Sequence, residues 1–336
     1  MKNPTIVFEE PGVVKVVPAE ITQPKPGEIL VETTVSLIST GTELTILSGE
    51  FPKDSMWAAY GRFPFVAGYS NIGRVTQAGD GVDRTLVGRR VATRSPHAAW
   101  VMASASAAIL VPDAVPDEDA AFFSIAGIVM NSIRRSQLHW GETVVVFGLG
   151  ILGQLAVRIA EMAGVSRVFA VDVAKPRLGL LPESPAVVAL HALEGDIRAR
   201  VRDANHGRLA DVAFEVTGDP KLIADEFKVL RRQGRFIVLS SPRGPASFDF
   251  HDLCNAPSFT IIGTHEMSAP AVATPDNPWT TRRHCEFFFD CVAERRIRVD
   301  SLVSHRVPFA EAPEAYARLL ADRSDAMGVL LNWKAV

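Results

Sequence analysis

Val144-Val145-Val146-Phe147-Gly148-Leu149-Gly150-Ile151-Leu152-Gly153 runs from four apolar residues through three spaced glycines into a longer apolar segment. This stretch predicts a buried strand over Thr143–Phe147, a tight turn, and a helix over Ile151–Ala163. Gly148 permits the turn, Gly150 lets backbone approach a pyrophosphate, and Gly153 lets the helix pack close to the strand. The first helical N–H groups, around Ile151 and Leu152, are free to meet an anion. Asp172 ends the next predicted strand, 19 residues after Gly153. A carboxylate there accepts hydrogen bonds from adenosine ribose hydroxyls. The alternative is a glycine-rich βα turn followed by an ordinary strand-end acid. Asp172 would repel a 2′-phosphate, which favours NAD and makes NADP the second choice. Lys175 and Arg177 lie just beyond it and oppose that preference.

Outward from this turn, strand and helix signals alternate. Strands are predicted at Arg167–Val171, Ala186–Leu190, Asp211–Val216, Arg235–Leu239 and Thr260–Ile262. With Thr143–Phe147 they make a six-stranded, doubly wound parallel sheet of α/β class. Helices are predicted at Glu118–Gln137, Gly195–Asn205 and Pro220–Leu230. The Lys175–Ser184 segment, with two prolines, predicts an abbreviated helix. Before Asp117 the chain is β-rich: short apolar runs are broken by Pro and Gly about every ten residues, as in a compact barrel or sandwich. The last 70 or so residues predict a long helix over Trp279–Arg296, a strand over Leu302–Pro308, a helix over Pro313–Ala321 and a closing strand over Met327–Trp333. No linker precedes this tail, so it is expected to pack back on the first domain. The expected boundaries are 1–122, 123–264 and 265–336, with the outer two forming one discontinuous domain.

The 336 residues carry 35 Lys and Arg against 38 Asp and Glu, and 47% are hydrophobic. That balance excludes a disordered chain and argues against a nucleic-acid groove. No apolar run is long enough for a membrane span. The start, MKNPTIVFEEPG, lacks a signal-peptide core. Cys254, Cys285 and Cys291 form no CxxC pair, and a reduced cytoplasmic setting is expected.

Taken together, Gly41-Thr42-Glu43, Gly68-Tyr69-Ser70 followed by Gly73, the glycines at 148–153, Val216-Thr217-Gly218 and the C-terminal return resemble the medium-chain dehydrogenase/reductase superfamily. The resemblance implies a GroES-like β-rich catalytic domain beside a Rossmann domain. Ser39-Thr40-Gly41-Thr42-Glu43 with Asp322-Arg323-Ser324 looks like the bacteriochlorophyllide dehydrogenase-like subgroup. It implies further cofactor contacts at Val216, Thr217, Leu239, Ser240 and Ser241. The arginine that many zinc members place near the C-terminus is Gly328 here.

Several departures bear on mechanism. Thr40 stands where zinc members carry a cysteine, Tyr69 where they carry a histidine, and Phe123-Ser124-Ile125 covers the third-ligand region. Neutral hydroxyls do not hold Zn²⁺, and the four-cysteine structural loop is missing, so neither a catalytic nor a structural zinc is expected. A side chain must then manage the proton and the developing charge. Tyr69 is the first candidate, or else it only fills the vacated space. Thr42 matches the hydroxyl that relays protons in zinc members, or it caps a turn. Glu43 matches the second-shell acid; it orients Tyr69, acts as a base, or forms a structural ion pair. His97 is a candidate base, or a solvated loop histidine. Thr40, Trp57, Tyr60 and His265 are candidates for a substrate pocket, with packing roles as the alternative.

The expected activity is hydride exchange between NAD(H) and a secondary alcohol or ketone on a cyclitol, sugar or biosynthetic intermediate. The rivals are an NADPH-dependent enoyl or quinone reductase, a redox-neutral enzyme with tightly held NAD, and a non-catalytic nucleotide-binding protein. The apolar edge strand Thr260–Ile262 predicts a homodimer. No nucleic-acid or membrane partner is expected.

Overall fold

The computed structural model describes residues 2–334, which divide into two compact units. One comprises the chain up to Ile125 together with the chain from Cys285. The other is Ala126–His284. The return therefore begins at Cys285, not at 265, because Thr264 and the segment after it bond to the end of the long helix before the sheet.

The first unit opens with β1 (Lys2–Glu10), β2 (Val13–Glu20) and β3 (Glu28–Leu37), then α1 (Thr42–Ser48) and α2 (Met56–Tyr60). β4 (Phe65–Val66), β5 (Asn71–Ala78), β6 (Arg90–Thr93), β7 (Trp100–Ser104) and β8 (Ile109–Leu110) follow, then α3 (Asp117–Ala120) and α4 (Phe123–Arg135). The single helix expected over Glu118–Gln137 is thus two, separated by a turn at Ala121-Phe122. The unexpected α1 forms from a β-branched sequence because Leu44, Ile46 and Leu47 all enter the core. Tertiary packing here outweighs local preference.

The second unit holds β9 (Thr143–Phe147), α5 (Ile151–Met162), β10 (Arg167–Asp172), α6 (Lys175–Leu178), β11 (Val187–His191), α7 (Ile197–Ala204), β12 (Ala210–Glu215), α8 (Ile223–Glu226), β13 (Leu230–Val238) and β14 (Thr260–Gly263). All six strands are parallel, in the order β11-β10-β9-β12-β13-β14. Every residue of β9 is buried, as expected for a strand covered on both faces. The order reverses beside β9, and open α/β sheets bind ligands at the carboxyl ends of strands at such a point. The helix expected over Pro220–Leu230 shrinks to α8 and a 3₁₀ turn. Leu230 already pairs with Ala210 in the sheet, which leaves no length for a longer helix.

The return contributes α9 (Thr281–Ala293), β15 (Val303–Pro308), α10 (Ala312–Ala321) and β16 (Gly328–Asn332). β16 pairs antiparallel with β3, Leu331 opposite Ser36, so the tail completes the sheet of the first unit. A cluster containing Ile6, Phe8, Leu44, Tyr316, Leu331 and Trp333 locks both ends of the chain together. Burying a side chain such as Phe8 contributes roughly 1.5–3 kcal/mol. Gly328 sits in this joint. A β-carbon there would lie 2.7 Å from Phe122 Cζ and 2.8 Å from the Leu302 carbonyl oxygen. The position has no room for the arginine of zinc members.

Candidate active site

In the first unit, Tyr69 follows Gly68, whose φ of 114° suits glycine. A β-carbon at Gly68 would lie 2.6 Å from the His97 nitrogen, so the glycine lets the two segments touch. The Tyr69 hydroxyl is 2.6 Å from Ser39 Oγ and 3.5 Å from Thr42 Oγ1. Burial raises the Tyr69 phenol above its ordinary pKa. Hydrogen bonds to Ser39 and Thr42 act against that rise, and the charge of Glu43 adds to it. The net direction keeps the phenol protonated at neutral pH.

Behind the phenol lies a closed network. Glu43 is 1% exposed and His97 is fully buried. Glu43 Oε1 accepts from the Ser39 N–H at 2.7 Å, and the Glu43 N–H donates to the Ser39 carbonyl at 2.9 Å. The Tyr316 hydroxyl donates to Glu43 Oε2. His97 Nε2 lies 3.2 Å from Oε2. A carboxylate only accepts, so Nε2 carries the proton on that side. His97 Nδ1 meets Ser36 Oγ at 2.8 Å, and that oxygen accepts from Trp333 Nε1 at 2.8 Å. The buried carboxylate therefore has three donors, which is what makes its burial tolerable. Burial, then the charge of Glu43, drives the Tyr316 phenol well above its usual range.

The second unit carries the dinucleotide turn. Gly148 has φ of 89°, and a β-carbon on it would lie 2.8 Å from the Val216 carbonyl oxygen. At Gly153 a β-carbon would lie 1.8 Å from the Gly148 carbonyl oxygen, whereas at Gly150 nothing lies within 4 Å. Two glycines serve packing, and the third leaves open space in front of the α5 N-terminus. Asp172 is 6% exposed, and its carboxylate accepts from the N–H groups of Leu149 (2.6 Å) and Ala174 (2.8 Å). Arg177 Nη1 is 3.7 Å from it. The same carboxylate that would meet the ribose therefore also holds the turn.

Glu215, which sequence reading passed over, organises the facing segment. Its Oε1 accepts from Thr217 Oγ1 (2.8 Å) and the Gly218 N–H (2.7 Å), and its Oε2 accepts from the Ser240 hydroxyl. Leu239 and Ser240 also donate their N–H groups to its carbonyl. A buried acid at a strand end two residues before Thr-Gly was the available signal.

The pocket candidates fall in both units: Thr40, Trp57 and Tyr60 in the first, where Tyr60 lies close enough to Tyr69 to affect its ionisation, and His265 in the second. Trp57 is partly buried against the first unit's core. Tyr60 is 54% exposed, its ring edge on Phe65 at 5.6 Å. The Thr40 carbonyl accepts from Arg323 Nη1 at 3.0 Å, joining the two segments on which the subgroup resemblance rests. His265 is exposed in the second unit, where its ring caps a 3₁₀ turn. His97 needs correction. It is no loop base, because a fully enclosed ring reaches no substrate.

The residues present do not fit zinc. The positions that the resemblance matches to zinc ligands offer the hydroxyls of Thr40 and Tyr69 and the segment Phe123-Ser124-Ile125, and a Zn²⁺ site needs thiolate, imidazole or carboxylate. Among the described residues, no three His, Cys, Asp or Glu converge as a metal-binding group. No helix of the described residues is long and apolar enough to cross a membrane.

Residues 152–278 match the family model of the zinc-binding dehydrogenases. The D-guloside 3-dehydrogenase of Shigella flexneri is 24% identical over 274 residues, covering 79% of this chain and 77% of that protein. Over residues 152–278 the chain is similar to zinc-binding-type dehydrogenases, and the curated relatives it matches are named as alcohol and polyol dehydrogenases. The chain is similar in fold to an alcohol dehydrogenase of Escherichia coli CFT073 complexed with NADH. The TM-score is 0.83 at 18% identity, covering 98% of this chain and 99% of that one. A Sinorhizobium meliloti dehydrogenase bound to NADP gives 0.81 at 20% identity, covering 99% of each chain. These likenesses show the fold, and the two structures hold NADH and NADP respectively.

Proposed function

We propose that this protein interconverts a secondary alcohol and a ketone with NAD(H), and that a side-chain proton relay stands in for zinc. The Tyr69 phenol carries the reading: partly buried, protonated, and held between Ser39 and Thr42. Bound nicotinamide supplies the hydride acceptor for an alcohol or the donor for a ketone. In the reducing direction the Tyr69 hydroxyl donates its proton to the carbonyl oxygen as negative charge develops there. The hydroxyls of Ser39 and Thr42 then donate to the phenolate left behind. Ser39 is buried, whereas Thr42 is partly exposed and passes a proton back from water. Glu43 and His97 position this set through Ser39 and do not touch substrate. A polyol or sugar substrate is supported by the guloside dehydrogenase relative. The preference for NAD rests on the Asp172 carboxylate.

Tyr69→Phe tests the reading. Turnover of a secondary-polyol panel should fall by about 10²–10⁴-fold while NADH affinity holds. Full activity in the variant, or stoichiometric zinc whose removal abolishes activity, would overturn it. Arg177 beside Asp172 favours the second reading, an NADPH-dependent enoyl or quinone reductase; tighter NADPH binding together with enone reduction would select it. We further propose that β14 pairs with its mate in a second copy of the chain, because it lies at the edge of the sheet with Ile261 43% exposed.

A further inference from the structure

Arg134, near the C-terminal end of α4, and Arg283, in the first turn of α9, lie over the same indole. Their guanidinium carbons are 3.1 and 4.1 Å from the centroid of the Trp279 ring. Those distances keep the two carbons within about 7 Å of each other. His284 stacks on the ring as well, with centroids 5.5 Å apart and planes at 28°. It is 1% exposed, and neither of its ring nitrogens has a partner among the described residues. Arg283 Nη1 donates to the Pro278 carbonyl at 3.3 Å. Among the described residues no carboxylate pairs with Arg134 or Arg283.

Two guanidinium groups and a neutral imidazole around one ring, with no carboxylate ion-paired to either guanidinium among the described residues, form a cationic cluster. Burial, then the charge of Arg283, pulls Arg134 down to about 10. Burial, then the charge of Arg134, pulls His284 down to about 4. A packed aromatic ring holds guanidinium planes in a fixed attitude, so their N–H forks stay organised. Organised forks bind tetrahedral oxyanions through paired, charge-assisted hydrogen bonds. We propose that Arg134 and Arg283, both exposed and both held over Trp279, form a binding site for a phosphoryl dianion, with the buried His284 packing beneath the ring. Two cations match a dianion in charge, and two planar forks match its several oxygens in geometry.

The test is a titration of inorganic phosphate into the full chain at constant ionic strength, read by calorimetry. Wild type is compared with the Arg134→Gln/Arg283→Gln double variant. Binding should be saturable in wild type and at least tenfold weaker in the variant, while NADH affinity and Tm stay within error. Should that variant fold poorly, Arg134→Lys/Arg283→Lys keeps both charges and removes the forks; it should bind phosphate more weakly than wild type. Competition separates the sources of the phosphoryl group. Displacement of phosphate by sorbitol 6-phosphate assigns it to a substrate, and displacement by NADPH but not NADH assigns it to the cofactor. No saturable binding, or equal affinity in a folded variant, would overturn the proposal. The readout is binding alone, so its failure leaves the Tyr69 reading intact.

Discussion

Gly150 and Gly153 belong to one motif but answer to different forces, and replacing each by alanine separates them. At Gly153 the new methyl would start 1.8 Å from the Gly148 carbonyl oxygen. Relieving that contact requires α5 and the turn to separate by more than 1 Å, since contacts below 3.0 Å are not tolerated. The clashing atom is backbone, so no flexible side chain can yield. Overpacking of this kind costs about 1–3 kcal/mol, and the rigid contact places this case near the top of the range. For a unit of this size, about 3 kcal/mol lowers Tm by roughly 6–12 °C. Cofactor binding falls with it, because the helix N–H groups move with the helix. At Gly150 the methyl would meet nothing within 4 Å, and φ is −63°, which any residue adopts. Stability should stay within about 1 kcal/mol of wild type, since the chain loses only backbone freedom and a small capping preference. If the pyrophosphate sits in the open space before the α5 N-terminus, the methyl occupies that space and NADH affinity should fall by at least tenfold. Differential scanning calorimetry and NADH fluorescence titration on both variants read the two quantities separately. A Gly150→Ala protein that binds NADH like wild type would refute the placement of the pyrophosphate. A Gly153→Ala protein with unchanged Tm would refute the packing argument.

Tyr316→Phe removes one of three donors to the buried Glu43 carboxylate, and should cost about 1–3 kcal/mol in urea unfolding. If Glu43 acts through Ser39 on Tyr69, the same variant should also shift the pH profile of kcat; a stability loss with an unmoved profile would reduce Tyr316 to a structural role. Glu226 is 3% exposed, neither carboxylate oxygen has a partner among the described residues, and burial, then Glu215, raises its pKa to about 9. An acid raised in the folded state gives stability that is present below its unfolded pKa and lost as pH rises toward about 9. Glu226→Gln should therefore gain Tm over wild type as pH rises from 5 to 9 and level off above; a gain independent of pH would contradict this. Ile261→Lys on the β14 edge should convert a dimer to a monomer in sedimentation equilibrium, and a wild type that sediments as a monomer would rule out the edge pairing.

The second unit was legible because its central strands, such as β9, are buried on both faces and announce themselves as unbroken apolar runs. The turn at 148–153 was legible from its own spacing, since Gly153 lies against Gly148 within the motif, even though Gly148 also lies against the distant Val216 and Thr217. Segments whose fate depends on distant chain were not legible. Thr42–Ser48 reads locally as β-branched, and only packing against the C-terminal return makes it a helix. Leu230 could not be seen to end α8 early, because its sheet partner Ala210 lies twenty residues before it. In the site, Thr42 and Tyr69 were found from their motifs, whereas Ser36, Tyr316 and Trp333 carry no local mark. Their polar atoms matter only because β16 closes on β3. The same closure explains His97, which reads as a loop histidine and lies fully buried between Glu43 and Ser36.

That enclosure constrains how proton chemistry is divided within the first unit. A base must reach both substrate and a proton sink, and an enclosed pair such as Glu43 and His97 reaches neither. It can fix geometry. The Ser39 N–H and carbonyl are both held by Glu43, which anchors the residue whose hydroxyl meets Tyr69 at 2.6 Å. The charge of Glu43 also opposes ionisation of Tyr69 at longer range, while the bonds to Ser39 and Thr42 favour it. One acid thus acts on the phenol in opposite senses, through the serine it orients and through its own field. Glu43→Gln removes the field but keeps an oxygen that can accept from Ser39. If the field dominates, the kinetic pKa assigned to Tyr69 should fall in that variant; if the hydrogen-bonded route dominates, it should stay. A rise in that pKa fits neither path and would sever Glu43 from the relay.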